Sequence, residues 1–302
     1  ACAAAGALCA APAYADPAPP FAELLRRAQS AAPRLAESRA DVAQSEGLAR
    51  QARARPNPTL SLNVENFGGS GPFKGGDAAE STAAFEQALE LGGKRPARIA
   101  AGRAELEAAR AKAAQAQGDF AFDLAAAYAQ AEAADLRLKL AGDAIALAEE
   151  DLRVTRAMVE AGKEADLRSL QAQSVIEAAR AQLGEARAER ASAFARLTAL
   201  AGSDLPITSI AVSLLAHADR MEPLPAVDPI ATPPYLAAQA EREAAARRVR
   251  VEQTRAAPDL SVSLGVRRLA GDDATALVAG VSAPFPIFDR NKGNISASQA
   301  AL

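Results

Sequence analysis

The chain has 302 residues, a formal net charge of −3 at pH 7, and only 4% aromatic residues. This charge argues against nucleic acid as a partner, because phosphate recognition needs an excess of Lys and Arg. The composition also disfavours a thick globular core, since alanine supplies most of the apolar residues and large side chains are few. Alanine-rich sequences with interspersed charges are typical of closely packed coiled-coil helices.

The first residues are typical of an exported protein. Residues 1–11 are small and apolar, and Ala-Tyr-Ala at 13–15 matches the A-x-A site at which signal peptides are cleaved. We interpret 1–15 as the remnant of a signal peptide whose start is not included. Both cysteines, Cys2 and Cys9, lie in it, so the mature chain is expected to have no thiol; lipidation of Cys9 is the alternative. No later stretch approaches the ~20 apolar residues of a transmembrane helix.

A helix and a β-hairpin come next along the chain. The pattern over 21–55 predicts a helix that Pro56 and Pro58 stop. Apolar and polar residues then alternate over 60–65 and again over 85–91, on either side of a Gly-rich loop, which predicts a hairpin over 58–91. This alternation fits a sheet that covers a water-soluble core, and it equally fits strands whose apolar face contacts lipid.

Two long helices follow the hairpin. A helical pattern runs from Arg95 to about Ala161, and a second ends near Leu200, so a helical hairpin is predicted over 95–201. Gly162 is the expected stop of the first helix and Asp166 the expected N-cap of the second. Each helix has a 3.5-residue apolar period, which predicts a left-handed coiled coil. The seam residues are Phe120, Leu124, Ala127, Ala131, Ala134, Leu138, Ala141, Ile145, Ala148, Leu152, Thr155 and Val159, and then Ser169, Ala172, Ile176, Ala179, Leu183, Ala186, Arg190, Ala193, Leu197 and Leu200.

The rest of the chain repeats its beginning. A Pro-rich connector at 203–234 separates a first repeat, 16–202, from a second, 235–302. In the second repeat a helix at 237–255 precedes PDLSVSL, which matches PTLSLNV at 58–64, and a hairpin is predicted over 258–288. PIFDRNKGNI at 286–295 echoes LELGGKRPARI at 89–99. The second repeat stops where its long helices are expected, and we interpret this as an incomplete record.

These motifs, in this order, resemble the TolC-like outer-membrane efflux family. The match rests on PTLSL at 58–62, QALELGGKRPARI at 87–99, DLRSLQAQ at 166–173 after Gly162, and LTALAG at 197–202. The LGGKR turn with Arg98 resembles the cobalt-zinc-cadmium branch of resistance-nodulation-division systems. The resemblance implies a mainly α fold with β-hairpins, in which long antiparallel coiled-coil helices form a tunnel and four strands per subunit join a trimeric, twelve-stranded transmembrane β-barrel.

The same resemblance implies a function and partners. It implies a homotrimer in the outer membrane of a Gram-negative bacterium, extending into the periplasm and docking onto an adaptor (membrane fusion protein) and an inner-membrane resistance-nodulation-division pump. The expected activity is passive export of solutes, with heavy-metal cations as one candidate. The alternative is a periplasmic coiled-coil adaptor or scaffold protein, although an adaptor is not expected to repeat a helix-then-hairpin unit twice.

Three sets of candidate site residues follow. The strand residues expected to face lipid are Leu60, Leu62, Val64, Leu89, Leu91, Leu260, Val262 and Leu264. The turn expected to form the periplasmic tip and to meet the adaptor is Val159, Gly162, Lys163, Asp166 and Leu167; by itself its pattern also fits an ordinary αα-hairpin turn. The strand-to-helix junction, with cations expected to face water or lipid headgroups, is Gly92, Gly93, Lys94, Arg95 and Arg98.

No residue pattern predicts catalysis or a resident cofactor. Gly92-Gly93-Lys94-Arg95 lacks the Ser or Thr that follows the lysine of a P-loop. His217 is the only histidine, and carboxylates alone suit hard cations better than zinc. We therefore predict no metal site, no cofactor and no enzymatic activity.

Overall fold

The computed structural model describes residues 17–218 and 226–302. The predicted signal peptide and both cysteines lie outside the described residues. The helices are α1 Phe21–Ala31, α2 Pro33–Gln51, α3 Lys94–Glu160, α4 Asp166–Ala201, α5 Leu215–Ala218, α6 Pro233–Arg255 and α7 Lys292–Ala300, with short 3₁₀ turns at Gly71–Phe73 and Pro229–Ala231. The strands are β1 Thr59–Glu65, β2 Glu80–Leu89, β3 Leu260–Leu269 and β4 Ala274–Ser282.

The prediction of a single helix over 21–55 is wrong. The helical run is interrupted at Ala32, whose backbone is extended with ψ 121°. Pro33 explains the break, because its ring disfavours the helical conformation of the preceding residue. Pro33 also suits the first position of the next helix, where no backbone N–H is needed. The second helix ends at Gln51, ahead of the prolines.

The chain divides into two compact units. One comprises the residues up to Ser38 together with Ala114–Asp228, and the other comprises Arg39–Ala113 and Pro229–Leu302. This division does not follow the two sequence repeats, because the second unit combines Arg39–Ala113 of the first repeat with the whole of the second repeat. The two units therefore do not test the repeat boundaries predicted from the sequence, 16–202 and 235–302.

The core of the first unit lies along the predicted seams. The seam residues of α3 and α4 are buried or half-buried, which confirms the 3.5-residue period. Nine of these 22 positions are alanine. Leu124 and Leu197 belong to a buried cluster that also includes residues of α1. Tyr128 and Phe194 also belong to this core, although neither follows the predicted spacing.

The turn between α3 and α4 is closed by backbone hydrogen bonds. Gly162 has φ 69°, and its N–H donates to the Val159 carbonyl at 2.9 Å. The Lys163 N–H donates to the Met158 carbonyl at 2.9 Å, which completes a Schellman motif. The predicted stop at Gly162 is thus confirmed. The predicted N-cap is wrong by one residue: Ala165 is the N-cap, and Asp166 is the first residue of α4, where its charge is favourable beside the helix dipole.

The connector is more than a linker. Ile207 is buried, and its N–H donates to the Thr198 hydroxyl at 3.0 Å. Glu132 of α3 is also buried, and its carboxylate accepts hydrogen bonds from the Leu214 N–H at 2.9 Å and the Leu215 N–H at 3.2 Å. These contacts satisfy the orphan N–H groups at the start of α5. The first part of the connector therefore forms part of the first unit.

Tyr128 gives the first unit a predicted sensitivity to alkaline pH. Its hydroxyl donates to the Val212 carbonyl at 2.7 Å, and burial, with the Glu132 charge as a smaller cause, raises the pKa of Tyr128 above its ordinary value of 10.0. The neutral phenol stabilises the fold below the pKa of the unfolded chain, and this stability is lost as pH rises through the folded pKa. We expect the free energy of unfolding to fall above about pH 10, and to fall less in Tyr128→Phe, as measured by urea denaturation across that range.

The matched control is Tyr235→Phe. Tyr235 is exposed on α6, so removing its hydroxyl should leave the alkaline decline unchanged. At neutral pH, Tyr128→Phe should itself cost about 1 kcal/mol through the lost hydrogen bond. An alkaline decline that is the same in Tyr128→Phe as in the unsubstituted chain would contradict the assignment.

The four strands form a single antiparallel sheet in the order β1-β2-β3-β4. Leu60 pairs with Phe85, Phe85 with Leu264, and Leu264 with Ala279, which fixes the register across all four strands. The two predicted hairpins are therefore adjacent, and β2 and β3 join them. Within the described residues, β1 and β4 each have one open edge.

Candidate functional site

One face of the sheet is apolar and lies open. Residues paired across an antiparallel sheet point to the same face, and every second residue of a strand shares that face. Leu62, near the middle of β1, is 77% exposed, and the other large side chains of this face are exposed or half-buried. We call this surface the apolar face. Its large members are Leu60, Leu62, Val64, Phe85, Leu89, Leu260, Val262, Leu264, Val266, Leu277 and Val281.

The opposite face is mainly polar. Arg267 of β3 lies on this face near the end of the strand, with Nη1 3.0 Å from Glu80 Oε2 and Nε donating to the Thr82 hydroxyl at 2.9 Å. Glu65 of β1 is 3.8 Å from the same guanidinium. A water-soluble sheet normally covers its apolar face and exposes its polar one. Here the apolar face has no covering element among the residues that the structure describes.

The structure brings together seven of the eight strand residues that the sequence assigned to lipid. Leu91 is the exception, because β2 ends at Leu89 and Leu91 lies in the turn that follows. Phe85, Val266, Leu277 and Val281 were not in the predicted set. The same two-residue alternation in β2, β3 and β4 could have identified them.

The junction between β2 and α3 needs its two glycines. Gly92 and Gly93 have φ 67° and 78°, in the left-handed region. A Cβ on Gly92 would lie 2.5 Å from the Cβ of Ala257, so no larger residue fits there without movement of the chain. The glycines thus allow both the turn and the close approach of the segment before β3.

The sequence indicated that the cations of this junction face water or lipid headgroups. In the structure they instead contact neighbouring segments of the chain. Lys94 Nζ lies 2.7 Å from Asp259 Oδ1, and the lysine side chain is only 16% exposed. Arg95 donates to the Arg53 carbonyl at 3.0 Å. Both side chains therefore hold the start of α3 against neighbouring segments of the second unit.

Arg98 joins three segments of the second unit. Its guanidinium donates to the carbonyls of Ala52 and Ala54 at 3.0 and 2.8 Å and forms an ion pair with Glu90, whose side chain is 11% exposed. The hydrogen bond that Arg98 donates to Glu90 is the main reason why the pKa of Arg98 is raised. The arginine thus satisfies carbonyls at the end of α2 that have no helical partner.

The predicted tip residues lie together around the hairpin turn. Val159 is half-buried, whereas Gly162, Lys163, Asp166 and Leu167 are exposed. Leu170, on the first turns of α4, is exposed as well. The turn therefore presents apolar and charged side chains side by side.

A substitution at Gly162 tests the geometry of this turn. We expect Gly162→Ala to lower the free energy of unfolding by about 1 kcal/mol, because a left-handed backbone is costly for residues with a Cβ. No atom lies within 4 Å of the added Cβ, so the cost is conformational. The control is Gly184→Ala within α4, where Cβ also meets open space and alanine should stabilise by about 0.5–1 kcal/mol. Equal effects of both substitutions on chemical denaturation would contradict this interpretation.

A second apolar stripe on α3 was not predicted. Leu140, Leu147 and Val154 recur every seven residues and are exposed, as are Leu136 and Met158 beside them. The stripe is offset from the buried seam, so α3 has apolar residues on two sides. The heptad spacing could have revealed it, because a helix with two seams packs between two neighbours.

Among residues 17–218 and 226–302, no three His, Cys, Asp or Glu side chains are grouped so that they could hold a metal ion. In the same residues, no helix has the length and apolar character needed to cross a membrane. His217 is exposed on α5.

The fold is similar to that of solved outer-membrane channel proteins. Crystal structures of CusC superpose with a TM-score of 0.74 at 19% identity, over 93% of this chain and 69% of that one. VceC from Vibrio cholerae superposes with a TM-score of 0.70 at 22% identity, over 93% of this chain and 72% of that one. At such identities the likeness concerns the fold alone.

Sequence comparison identifies the family. Residues 24–203 match the family described as "Outer membrane efflux protein", and the chain belongs to that family. The chain is 40% identical to the nickel and cobalt resistance protein CnrC of Cupriavidus metallidurans, over 94% of this chain and 68% of the relative. It is also 40% identical to the nickel-cobalt-cadmium resistance protein NccC of Alcaligenes xylosoxydans xylosoxydans, over 93% of this chain. The chain spans 64% of the length of that second relative.

Proposed function

We propose that this chain forms the outer-membrane channel of an efflux complex and acts as a passive duct. The observation that carries the proposal is the apolar face, an exposed surface of large aliphatic side chains on all four strands. Water-soluble monomers rarely expose apolar patches of this extent. A lipid environment stabilises such a face, while the polar face with Arg267 and Glu80 would line an aqueous lumen.

The open edges of β1 and β4 support assembly with further copies. Unpaired backbone groups are costly in hydrocarbon, so a sheet in a membrane must close. Pairing of β4 in one copy with β1 in the next satisfies both edges and leads to a closed barrel. We propose three copies, the number that the family resemblance implies. The exposed stripe on α3 with Leu140 and Leu147 supports packing of the helices between copies.

The partners follow from the turn between α3 and α4. We infer that the exposed residues around Gly162 and Leu167 dock onto a periplasmic adaptor, which connects the channel to an inner-membrane resistance-nodulation-division pump. Apolar contacts of Leu167 and Leu170 would supply the buried centre of that interface, and Lys163 and Asp166 its polar rim. Membership of the channel family argues against the alternative that the chain is itself an adaptor.

We infer that the exported solutes are divalent transition-metal cations. The names of related proteins refer to resistance to nickel, cobalt and cadmium. A duct needs no resident cofactor and no catalytic group, and its binding of the exported ion should be weak so that the ion can leave. The function is therefore transport and not catalysis.

The test is metal tolerance in cells that lack the gene for this protein. We expect these cells to lose tolerance of nickel, cobalt or cadmium, and the full-length protein to restore it. Fractionation should place the protein in the outer membrane. Unchanged metal tolerance with lost tolerance of a drug would overturn the assignment of metal cations as the exported solutes. Recovery of the protein in the soluble periplasmic fraction would favour the alternative that the chain is an adaptor.

A further inference from the structure

The segment between β4 and α7 carries large apolar side chains with almost no cover. Phe288 is 98% exposed and Phe285 is 86% exposed, and Ile287 between them is also exposed. Single exposed apolar residues are common on protein surfaces, whereas three within four positions indicate contact with something apolar.

This segment is held in place by hydrogen bonds. The Ile287 N–H donates to the Phe285 carbonyl at 2.8 Å, which closes a tight turn around Pro286. Further along, the Asn291 N–H donates to Asp289 Oδ1 at 2.8 Å, and Asn291 Nδ2 donates to the Glu252 carbonyl of α6 at 2.8 Å. The two phenyl rings therefore project from a braced loop.

Two free cations follow the rings. Arg290 and Lys292 are exposed, and neither has an acidic partner in the part of the chain that the structure describes. The neighbouring Asp289 uses its carboxylate to accept the Asn291 N–H. Two cations without an acidic partner among the described residues thus lie within four positions of Phe288, and the one acid between them and the ring, Asp289, is hydrogen-bonded to the backbone.

The equivalent junction of the first repeat is built differently. Aligning Ile295 with Ile99 puts Phe288 opposite Gly92 and Arg290 opposite Lys94. Gly92 packs against Ala257 with no space for a side chain, and Lys94 is paired with Asp259. A strand-to-helix turn at this place therefore requires neither an exposed ring nor a free cation.

We propose that residues 285–292 anchor the protein at the interface of a glycerophospholipid leaflet. Phe285 and Phe288 would insert at the boundary between acyl chains and headgroups, and Arg290 and Lys292 would bind lipid phosphates. The anchor continues the apolar face beyond Val281 of β4, and aromatic girdles flank the apolar band of membrane barrels at such positions. Cationic side chains beside them suit the headgroup layer. This inference rests on the proposed placement of the apolar face in a membrane.

Tryptophan fluorescence tests the anchor directly, because the chain has no tryptophan of its own. The full chain is reconstituted into phosphatidylcholine vesicles brominated either near the headgroups or near the acyl ends. We expect Phe288→Trp to be quenched most by bromine near the headgroups. Leu277→Trp, on the apolar face, should be quenched most by deep bromine. Phe122→Trp, exposed on α3, is the control that neither lipid should quench.

The outcomes separate this inference from the proposed function. Quenching of Leu277→Trp without quenching of Phe288→Trp would overturn the anchor and leave the placement of the apolar face in the membrane intact. In that case, a blue-shifted emission of Phe288→Trp would mean that protein, and not lipid, covers the ring. Absence of quenching at both positions would overturn the membrane placement as well. Adding Arg290→Gln and Lys292→Gln to Phe288→Trp should reduce headgroup quenching in vesicles that contain phosphatidylglycerol. Undiminished quenching would overturn the role of the two cations.

Discussion

Replacing Leu62 by arginine is expected to cost about 2–4 kcal/mol if the residue lies near the midplane of the membrane. Leu62 is near the centre of β1 on the apolar face and is paired with Ala83. The strand residues on this face include no carboxylate that could pair with a charge at Leu62, so the arginine would have to be desolvated in hydrocarbon. The free energy of unfolding from lipid vesicles measures this cost, and outer-membrane insertion in cells should fall in parallel.

The matched control is Asn63→Arg on the same strand. Asn63 is the next residue and therefore lies on the polar face, where its side chain donates to Glu65 Oε1 at 3.1 Å. An arginine at this position would find both water and a carboxylate, so we expect a change within about 0.5 kcal/mol. Normal insertion of Leu62→Arg, or equal loss in both variants, would show that the apolar face does not contact lipid.

The parts of the fold that the sequence predicted depend on local periodicity. The seams of α3 and α4 follow from a 3.5-residue repeat, and the shared face of Leu60, Leu62 and Leu264 follows from a two-residue repeat. Both repeats act between neighbours along one element, so they can be read without knowledge of the tertiary structure. The pairing of β2 with β3 could not be predicted from these repeats. Only the family resemblance implied that the four strands join one sheet.

The parts that the sequence did not predict depend on contacts between distant segments. Arg98 and Lys94 were expected to face water or headgroups, but the carbonyls of Ala52 and Ala54 and the carboxylate of Asp259 come close only in the folded chain. The role of Ile207 was hidden by the Pro-rich composition around it. The break at Ala32 could have been predicted from the sequence, because Pro33 disfavours a helical conformation of the residue before it. The helical pattern on both sides of Pro33 led to the prediction of one continuous helix.

The contrast between two leucines of α3 gives the second large prediction. Leu124 is fully buried in the core of the first unit, whereas Leu147 is 73% exposed on the second stripe. Leu124→Ala should lower the free energy of unfolding by about 2–5 kcal/mol, through lost burial and the cavity left behind. Leu147→Ala should change it by no more than about 0.5 kcal/mol in the isolated subunit. Urea denaturation followed by far-ultraviolet circular dichroism measures both values.

Leucine and alanine have similar helix propensities, so the difference between the two variants reports packing and not helix formation. Leu147→Ala, which should have little effect on the isolated subunit, should have a clear effect on the assembled protein. Leu147→Ala should weaken the association of subunits, because packing between copies would bury the second stripe, and this loss should appear as a higher concentration needed for assembly. If Leu147→Ala leaves assembly unchanged while Leu124→Ala destabilises the subunit, the second stripe does not contribute to the contact between copies. If both variants unfold like the unsubstituted chain, Leu124 does not belong to the core that the buried seam defines.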